Sequence, residues 1–274
     1  VSEADLLAEA KEILKSAGIE NPVREARQLW EASFPRRYVD YEKAMSGGRV
    51  EDFRALVARR AQREPMSHLT GCRDFYEHRF EVSADVLDPR PDTEALVIAA
   101  LEKPFERVLD LGTGSGCILL SLLAARKNAI GFGTDLSEAA LNVAKRNFDR
   151  LELAVEDRAN FLRSDWFQNV EGTYDLIVSN PPYIASDEMA GLAPELSYEP
   201  RMALTDEGDG LSCYRIIAAS APEHLNAGGW LMVEIGLTQG AAVRAMFEAA
   251  GLQNVEVRPD LDGRDRVVVG QKPL

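Results

Sequence analysis

The stretch that most restricts how this chain can fold is Val108-Leu109-Asp110-Leu111 running straight into Gly112-Thr113-Gly114-Ser115-Gly116, with a largely apolar run over 117–126 behind it. A short apolar segment bounded by glycines reads as a buried strand, and the longer run after it as a helix. Glycines between the two let the main chain turn sharply and let a ligand touch it. The same grammar repeats downstream. Strands are predicted over 107–111, 130–135, 159–164, 174–179, 230–235, 255–258 and 266–270, with helices over 117–126, 137–150, 212–225 and 238–250. Strands alternating with helices imply an α/β domain, a mostly parallel sheet covered on both faces. Only the turn region Pro259–Gly263 joins the last two strands, so these are predicted to be antiparallel neighbours.

The first third reads differently. Ser2 can cap a helix whose Leu6, Leu7, Ala10, Ile13, Leu14 and Ala17 share a face and which Gly18 ends. Asn21-Pro22 suits the start of a second helix through Trp30, and a third is predicted over 50–63 with Phe53, Leu56 and Val57 on one face. Residues 74–86 alternate as a short hairpin, and Asp88-Pro89-Arg90-Pro91-Asp92-Thr93 is rigid punctuation before the next helix. The predicted organisation is a helical domain over 1–73, a hairpin and linker over 74–92, and an α/β domain over 93–274.

The glycine spacing selects among ligands. Glycines stand at 112, 114 and 116, whereas a dinucleotide fingerprint wants its third glycine or alanine where Cys117 stands, and no GxxxxGK is present. Dehydrogenase and P-loop chemistry are thereby disfavoured. Asp110, just before the loop, suits a ligand with a cationic amino-acid tail, or orients the loop above it. Asp135 ends the second strand, where a carboxylate accepts hydrogen bonds from ribose hydroxyls. On the third strand end, Asp165 can accept from an adenine amino group and Trp166 can cover the ring. Each signal alone is weak; in order on successive strand ends they point to an adenosine-bearing ligand.

The fourth strand delivers Ser179-Asn180-Pro181-Pro182-Tyr183-Ile184 at its carboxyl end, where such sheets bind ligands. An amide or aromatic amine nitrogen has a delocalised lone pair and is a poor nucleophile. Two acceptors for its hydrogens favour the developing positive nitrogen. The Asn180 side-chain oxygen supplies one and the Pro181 carbonyl, held by consecutive prolines, the other, while Tyr183 offers a flat face. Methyl transfer from a sulfonium then depends on in-line placement more than on a strong base.

These segments resemble the release-factor glutamine methyltransferase family (HemK/PrmC type) over nearly the whole chain. The resemblance is carried by Arg63-Glu64-Pro65, Phe75-Tyr76, Pro89 through Glu94, Leu109 through Gly116, Val178 through Ile184 and Tyr198-Glu199-Pro200. Gly208-Asp209-Gly210-Leu211, Gly236 with Gln239, and Asp260-Leu261 with Gly263-Arg264-Asp265-Arg266 complete it. Asn-Pro-Pro-Tyr is shared with DNA adenine and rRNA guanine methyltransferases; the Arg90 segment and the closing run are more specific. The resemblance implies a class I S-adenosylmethionine methyltransferase domain, seven-stranded and mostly parallel with the last strand antiparallel, preceded by a small helical domain that helps hold the substrate. It implies N5-methylation of the glutamine in the Gly-Gly-Gln motif of class-1 peptide chain release factors. By the family pattern Gly112, Thr113, Gly114, Ser115, Gly116, Asp135, Trp166 and Asn180 face the cofactor, to which the strand-end reading adds Asp165, and Asn180, Pro181, Pro182 and Tyr183 hold the glutamine.

The main rival is methylation of an exocyclic base amine in nucleic acid, for which the same loop would serve. A net charge of -14 disfavours it, because nucleic-acid enzymes want a basic channel. Arg54, Arg59, Arg60 and Arg63 form a local basic stripe, read as a solvated helix face. The three cysteines, Cys72, Cys117 and Cys213, lack disulfide or metal spacing, and the three histidines lack ligand spacing, so no metal is expected. With a polar, acidic start and no long apolar run, the expected location is the cytoplasm, with no membrane partner.

Overall fold

The computed structural model describes residues 2–33, 48–151 and 158–274. By internal contacts the chain divides into two compact units, one of Val1–Cys72 with Ala193–Tyr198 and one of Arg73–Leu192 with Glu199–Leu274.

The first unit is helical. Helices α1 (Glu3–Ser16), α2 (Pro22–Ala32), α3 (Gly48–Ala61) and the short α4 (Met66–Thr70) enclose Leu6, Ala10, Leu14, Ala26, Leu29, Phe53 and Val57. Ser2 caps α1 as expected, with a reciprocal bond between its main chain and Asp5. Ile13, expected on the inner face, is instead 41% exposed, because the narrow seam of so small a core takes only every third or fourth residue. The arginine stripe of α3 is neutralised pair by pair. Arg54 bonds Glu9 at 2.9 Å, Arg59 bonds Glu64 at 2.5 Å, Arg60 bonds Glu25 at 2.6 Å, and Arg63 bonds Glu195 at 2.9 Å. Glu195 belongs to a 3₁₀ turn, Pro194–Tyr198, that the sequence reading left with the α/β domain. Its grouping with the helices follows from that ion pair and from the Tyr198 hydroxyl, which donates to the Gln62 carbonyl at 2.8 Å.

The second unit opens with a hairpin, β1 (Cys72–Phe75, whose first residue closes the helical unit) and β2 (His78–Glu81), followed by α5 (Glu94–Leu101). Then come β3 (Arg107–Leu111), α6 (Cys117–Ala125), β4 (Ile130–Asp135), α7 (Glu138–Arg150), β5 (Ala159–Arg163) and β6 (Tyr174–Ser179). A short α8 (Arg201–Leu204), α9 (Ser212–His224), β7 (Leu225–Glu234), α10 (Gly240–Ala249), β8 (Gln253–Pro259) and β9 (Asp265–Gln271) complete it. The sheet has seven strands in the order β5-β4-β3-β6-β7-β9-β8. All neighbours are parallel except β9, which runs against both β7 and β8, as the short connection predicted.

Strand alternation builds two cores from one sheet. Val108, Leu176, Val178, Met232, Val267 and Val269 face α5 and α6, while Leu109, Leu111, Ile177, Leu231, Val233 and Val268 face α9 and α10. Because each central strand is covered on both sides, its register is fixed, and so is the position of whatever follows its last residue. Leu111 pairs with Ser179, so the loops that begin at Gly112 and Asn180 emerge side by side. The chain runs outward from β3 to β4 and β5 and then returns to β6 on its other flank, which makes this a topological switch point.

Candidate active site

A cavity of about 440 Å³ opens over the carboxyl ends of β3, β4, β5 and β6, within the size range of small-molecule sites. Of the residues the sequence singled out, Gly112, Thr113, Gly114, Ser115, Asp135, Asp165, Trp166, Asn180 and Pro182 line it. Gly116, Pro181 and Tyr183 do not.

Local geometry explains the division. Gly112, Gly114 and Gly116 all have positive φ, at 69°, 54° and 80°. Nothing lies within 4 Å of where a Cβ would stand on Gly112 or Gly114, so their main chain is open to a ligand. Gly116 looks inward instead: a Cβ there would meet Leu120 at 3.1 Å and Ala144 at 3.2 Å, so it sets the packing of α6. Asp110 lies beneath the loop, fully buried, and accepts from the Thr113 hydroxyl at 2.7 Å. It is therefore a loop brace, the second of the roles open to it. Burial pushes its carboxyl up to about 7, partly offset by that hydrogen bond.

Asp135 accepts from the Gly114 amide at 2.9 Å through one oxygen and from the Ser137 amide at 2.9 Å through the other. Each oxygen keeps acceptor capacity for a further donor. Burial raises its carboxyl, against the bonds from Ser137 and Gly114. Trp166 adopts φ 48°, unusual for a bulky side chain, on a turn shaped by Ser164, whose hydroxyl donates to the Trp166 carbonyl at 2.8 Å. Backbone strain of this kind persists where the surroundings over-determine it, as at ligand sites. Asp165 is exposed and takes a bond from Gln168 at 3.1 Å.

Asn180 donates from Nδ2 to the Thr93 hydroxyl at 3.3 Å, whereas its Oδ1 is buried with no hydrogen-bond partner. A buried acceptor without a donor carries the full cost of lost hydration, ~1–3 kcal/mol. Open glycine main chain, a carboxylate with spare acceptor capacity, an indole ring and a buried carbonyl oxygen around one cavity form a donor and acceptor set that suits an adenosine ligand with an amino-acid tail.

The loop after β6 is held from behind. Gln239 donates from Nε2 to the carbonyls of Tyr183 at 2.9 Å and Gly210 at 3.0 Å, and its Oε1 accepts from the Gly236 amide at 2.9 Å. Asp206 gathers the 206–212 turn by accepting from Gly208, Gly210 and Ser212. The Tyr183 hydroxyl faces Glu234 at 3.5 Å, and its ring packs on the core beside Tyr214 and Leu211.

Further residues, some marked in the sequence only within motifs and one, Glu234, not at all, organise the site. Glu234 is buried at the end of β7, and burial pushes its carboxyl up to about 7, opposed by Thr93 and by the nearby Arg266. An acid in the last two positions of a strand, where Asp110 and Asp135 also stand, was the available signal. Arg266 is buried between Asp92 at 3.0 Å and Asp260 at 3.4 Å, linking two distant motifs. Glu94 accepts from the Tyr76 amide at 2.9 Å, anchoring the hairpin to the proline-rich segment. Arg90 lines the cavity and is ion-paired with the buried Glu199, which also accepts from the Asp88 amide.

Residues 82–212 match the model of the methyltransferase small domain, and residues 5–71 match that of the PrmC N-terminal domain. A release factor glutamine methyltransferase of Cereibacter sphaeroides is 49% identical over 98% of this chain and 98% of its own. One from Rhodospirillum rubrum is 44% identical over 94% of this chain and 82% of its own. A methyltransferase from Pyrococcus furiosus shares the fold, with a TM-score of 0.54 at 18% identity over 71% of this chain and 89% of that one. A glycine loop, a carboxylate and an Asn-Pro-Pro-Tyr loop around one cavity, together with identity at this level over nearly the full length, show that the chain is an S-adenosylmethionine-dependent methyltransferase belonging to the release factor glutamine methyltransferase family.

Proposed function

We propose that this enzyme methylates N5 of the glutamine in the Gly-Gly-Gln motif of class-1 peptide chain release factors. The observation that carries the chemistry is the Asn180 side chain, which lines the cavity with its Nδ2 occupied by Thr93 and its Oδ1 buried without a donor. A primary amide brings two N–H groups. One satisfies Asn180 Oδ1 and the other the Pro181 carbonyl, which draws density onto a nitrogen that is otherwise a weak nucleophile. Pro181 and Pro182 fix φ on either side, so the acceptors are in place before the substrate arrives. Tyr183 closes the loop from the core side; burial and the Glu234 carboxylate push its phenol well above its usual value, so it stays protonated throughout the physiological range.

S-adenosylmethionine supplies an electrophilic methyl on a sulfonium. In this reading the Gly112–Gly116 loop, Asp135, Asp165 and Trp166 hold it, with Asp135 on the ribose hydroxyls and Trp166 against the adenine. The first unit helps recognise the protein substrate. With Arg54, Arg59, Arg60 and Arg63 each paired to a carboxylate, that stripe offers little free positive charge to a phosphate backbone, which supports a protein rather than a nucleic-acid partner. Three free thiols fit a reducing cytoplasm.

The test is mass spectrometry of a purified class-1 release factor incubated with the enzyme and S-adenosylmethionine. A single added methyl on the Gly-Gly-Gln glutamine is expected. No modification, with donor binding intact by calorimetry, refutes the substrate and turns attention to an exocyclic base amine.

A further inference from the structure

Glycine gives the Gly112–Gly116 loop access to its open conformation and also the freedom to leave it, because a residue without a Cβ lets the neighbouring peptide planes turn over. A loop that receives a ligand without first having to order itself must be pinned from outside. The Thr113 amide donates to the Thr134 carbonyl at 2.8 Å, the Gly114 amide to Asp135 at 2.9 Å, and the Gly116 amide back to the Thr113 carbonyl at 2.8 Å. The Ser115 carbonyl, in the same peptide plane as the Gly116 amide, is held by Asn147, whose Nδ2 donates to it at 2.9 Å.

Asn147 stands on α7 and is fully buried. Nδ2 also donates to the Glu81 carbonyl at 2.9 Å, and Oδ1 accepts from the Glu81 amide at 2.6 Å. The donor end of the amide faces two carbonyls and its acceptor end faces an N–H, so only one orientation of the side chain satisfies all three groups. Towards Glu81 it acts as a neighbouring strand would, pairing both main-chain groups of the last residue of β2. Val82 and Val86 pack with Ala140 and Val143 of the same helix, so the docking of this segment on α7 extends beyond one residue. The loop meets α7 again at Gly116, whose missing Cβ leaves room for Ala144.

We propose that Asn147 is a positioning residue for S-adenosylmethionine binding: through the Ser115 carbonyl it keeps the glycine loop in its binding conformation, and through Glu81 it couples that loop to the docking of β2. The proposal rests on the reading that the Gly112–Gly116 loop holds the donor. Two consequences separate this role from that of a merely stabilising buried asparagine. Removing the tie should weaken donor binding rather than methyl transfer, because Asn180 and Pro181 follow a different strand. Coupling is also reciprocal: whatever factor the tie contributes to donor affinity, bound donor must return to the docking of β2.

Asn147→Leu keeps the approximate size and removes all three hydrogen bonds. Calorimetry with S-adenosylhomocysteine, the unreactive product of the donor, should show Kd raised about tenfold, as for one buried carbonyl left without its donor, with kcat at saturating donor within about threefold of the parent. Asn226→Ala is the control: it removes a 2.8 Å bond to Asp175 at the opposite ends of the strands, and should lower Tm with Kd unchanged. Hydrogen exchange in the parent tests the reverse direction without a substitution. Saturating S-adenosylhomocysteine should slow exchange of the Glu81 amide about tenfold more than that of amides in β8, at the far edge of the sheet, and this difference should vanish in Asn147→Leu. An Asn147→Leu enzyme with parental Kd overturns the proposal. So does Glu81 protection no greater than that of β8, a result the parent delivers even if the variant does not fold. Gly114→Val fills the open face of the loop and should abolish binding. If it binds normally, the loop is not the donor site and that reading fails; if it loses binding while Asn147→Leu does not, the loop reading stands and the tie alone is refuted.

Discussion

Replacing Gly210 with alanine tests whether the catalytic loop is held in place from behind. Gly210 has φ 73°, and a Cβ there would overlap the main-chain oxygen of Tyr183 and stand 3.0 Å from Gln239 Nε2 and 3.2 Å from the Ala185 amide. Two costs add. A left-handed conformation costs an L-residue ~1–2 kcal/mol. Overpacking a rigid site costs ~1–3 kcal/mol more, since the nearest atom is main chain that cannot swing aside. Gly251 isolates the first cost: it has φ 82° at the end of α10, with nothing within 4 Å of a Cβ. Gly251→Ala should therefore lose ~1–2 kcal/mol and keep its kcat. Gly210→Ala should lose ~2–5 kcal/mol, a drop in Tm of ~4–20 °C for a unit of this size, and also reduce kcat at least about tenfold, because Tyr183 moves with Asn180 and Pro181. Thermal denaturation of both variants, with single-turnover methylation at saturating donor, decides the matter. If Gly210→Ala matches Gly251→Ala in Tm and in turnover, the Tyr183–Gly210–Gln239 contact is not what positions the loop.

Two further outcomes follow from the site. Asn180→Ala removes one of two acceptors for the substrate amide and should lower kcat by ~10²–10³, while calorimetry shows S-adenosylmethionine binding reduced only a few-fold; unchanged turnover would refute the assignment. Asp110→Asn tests a buried carboxyl whose value rises from 3.8 to about 7 on folding. The folded state then holds its proton more tightly than the unfolded one, so stability from this group is full at low pH and is lost as pH rises from about 4 through about 7. The loss is at most about 4 kcal/mol. The variant's Tm should fall less than the parent's between pH 5 and pH 8, and parallel pH dependences would show that Asp110 carries no such penalty.

What the sequence made legible is what repeats or sits at a fixed place in a repeating unit. The strands could be read because a strand buried on both faces is nearly continuous in apolar residues, as in Val108-Leu109 and Leu176-Ile177-Val178. The glycine loop and the Asn-Pro-Pro-Tyr loop could be read because each immediately follows such a strand, and the sheet brings strand ends together. Less accessible was anything whose partner lies far along the chain. Gln239 could be marked in the sequence as part of a motif but not given a role, because the groups it joins, Tyr183, Gly210 and Gly236, come together only in the fold. Glu195 reads as one more acid in a polar stretch, yet it pairs with Arg60 and Arg63.

The same distinction explains why the proline-rich segment and the closing Gly263-Arg264-Asp265-Arg266 run mark the family together though most of the domain separates them. Arg266 comes from β9, the antiparallel strand, and its guanidinium is almost fully buried. It is sustained by Asp92 and Asp260 and by the Ile235 carbonyl at 3.3 Å. A buried cation cannot lose its carboxylates without a cost of several kcal/mol, so neither run is free to vary alone. The residue next to Asp92 is Thr93, and the residue before Ile235 is Glu234. The antiparallel strand thus ties the segment that carries Thr93, the partner of Asn180 Nδ2, to the end of β7, so a strand far from the cofactor loop braces the neighbour of the catalytic amide.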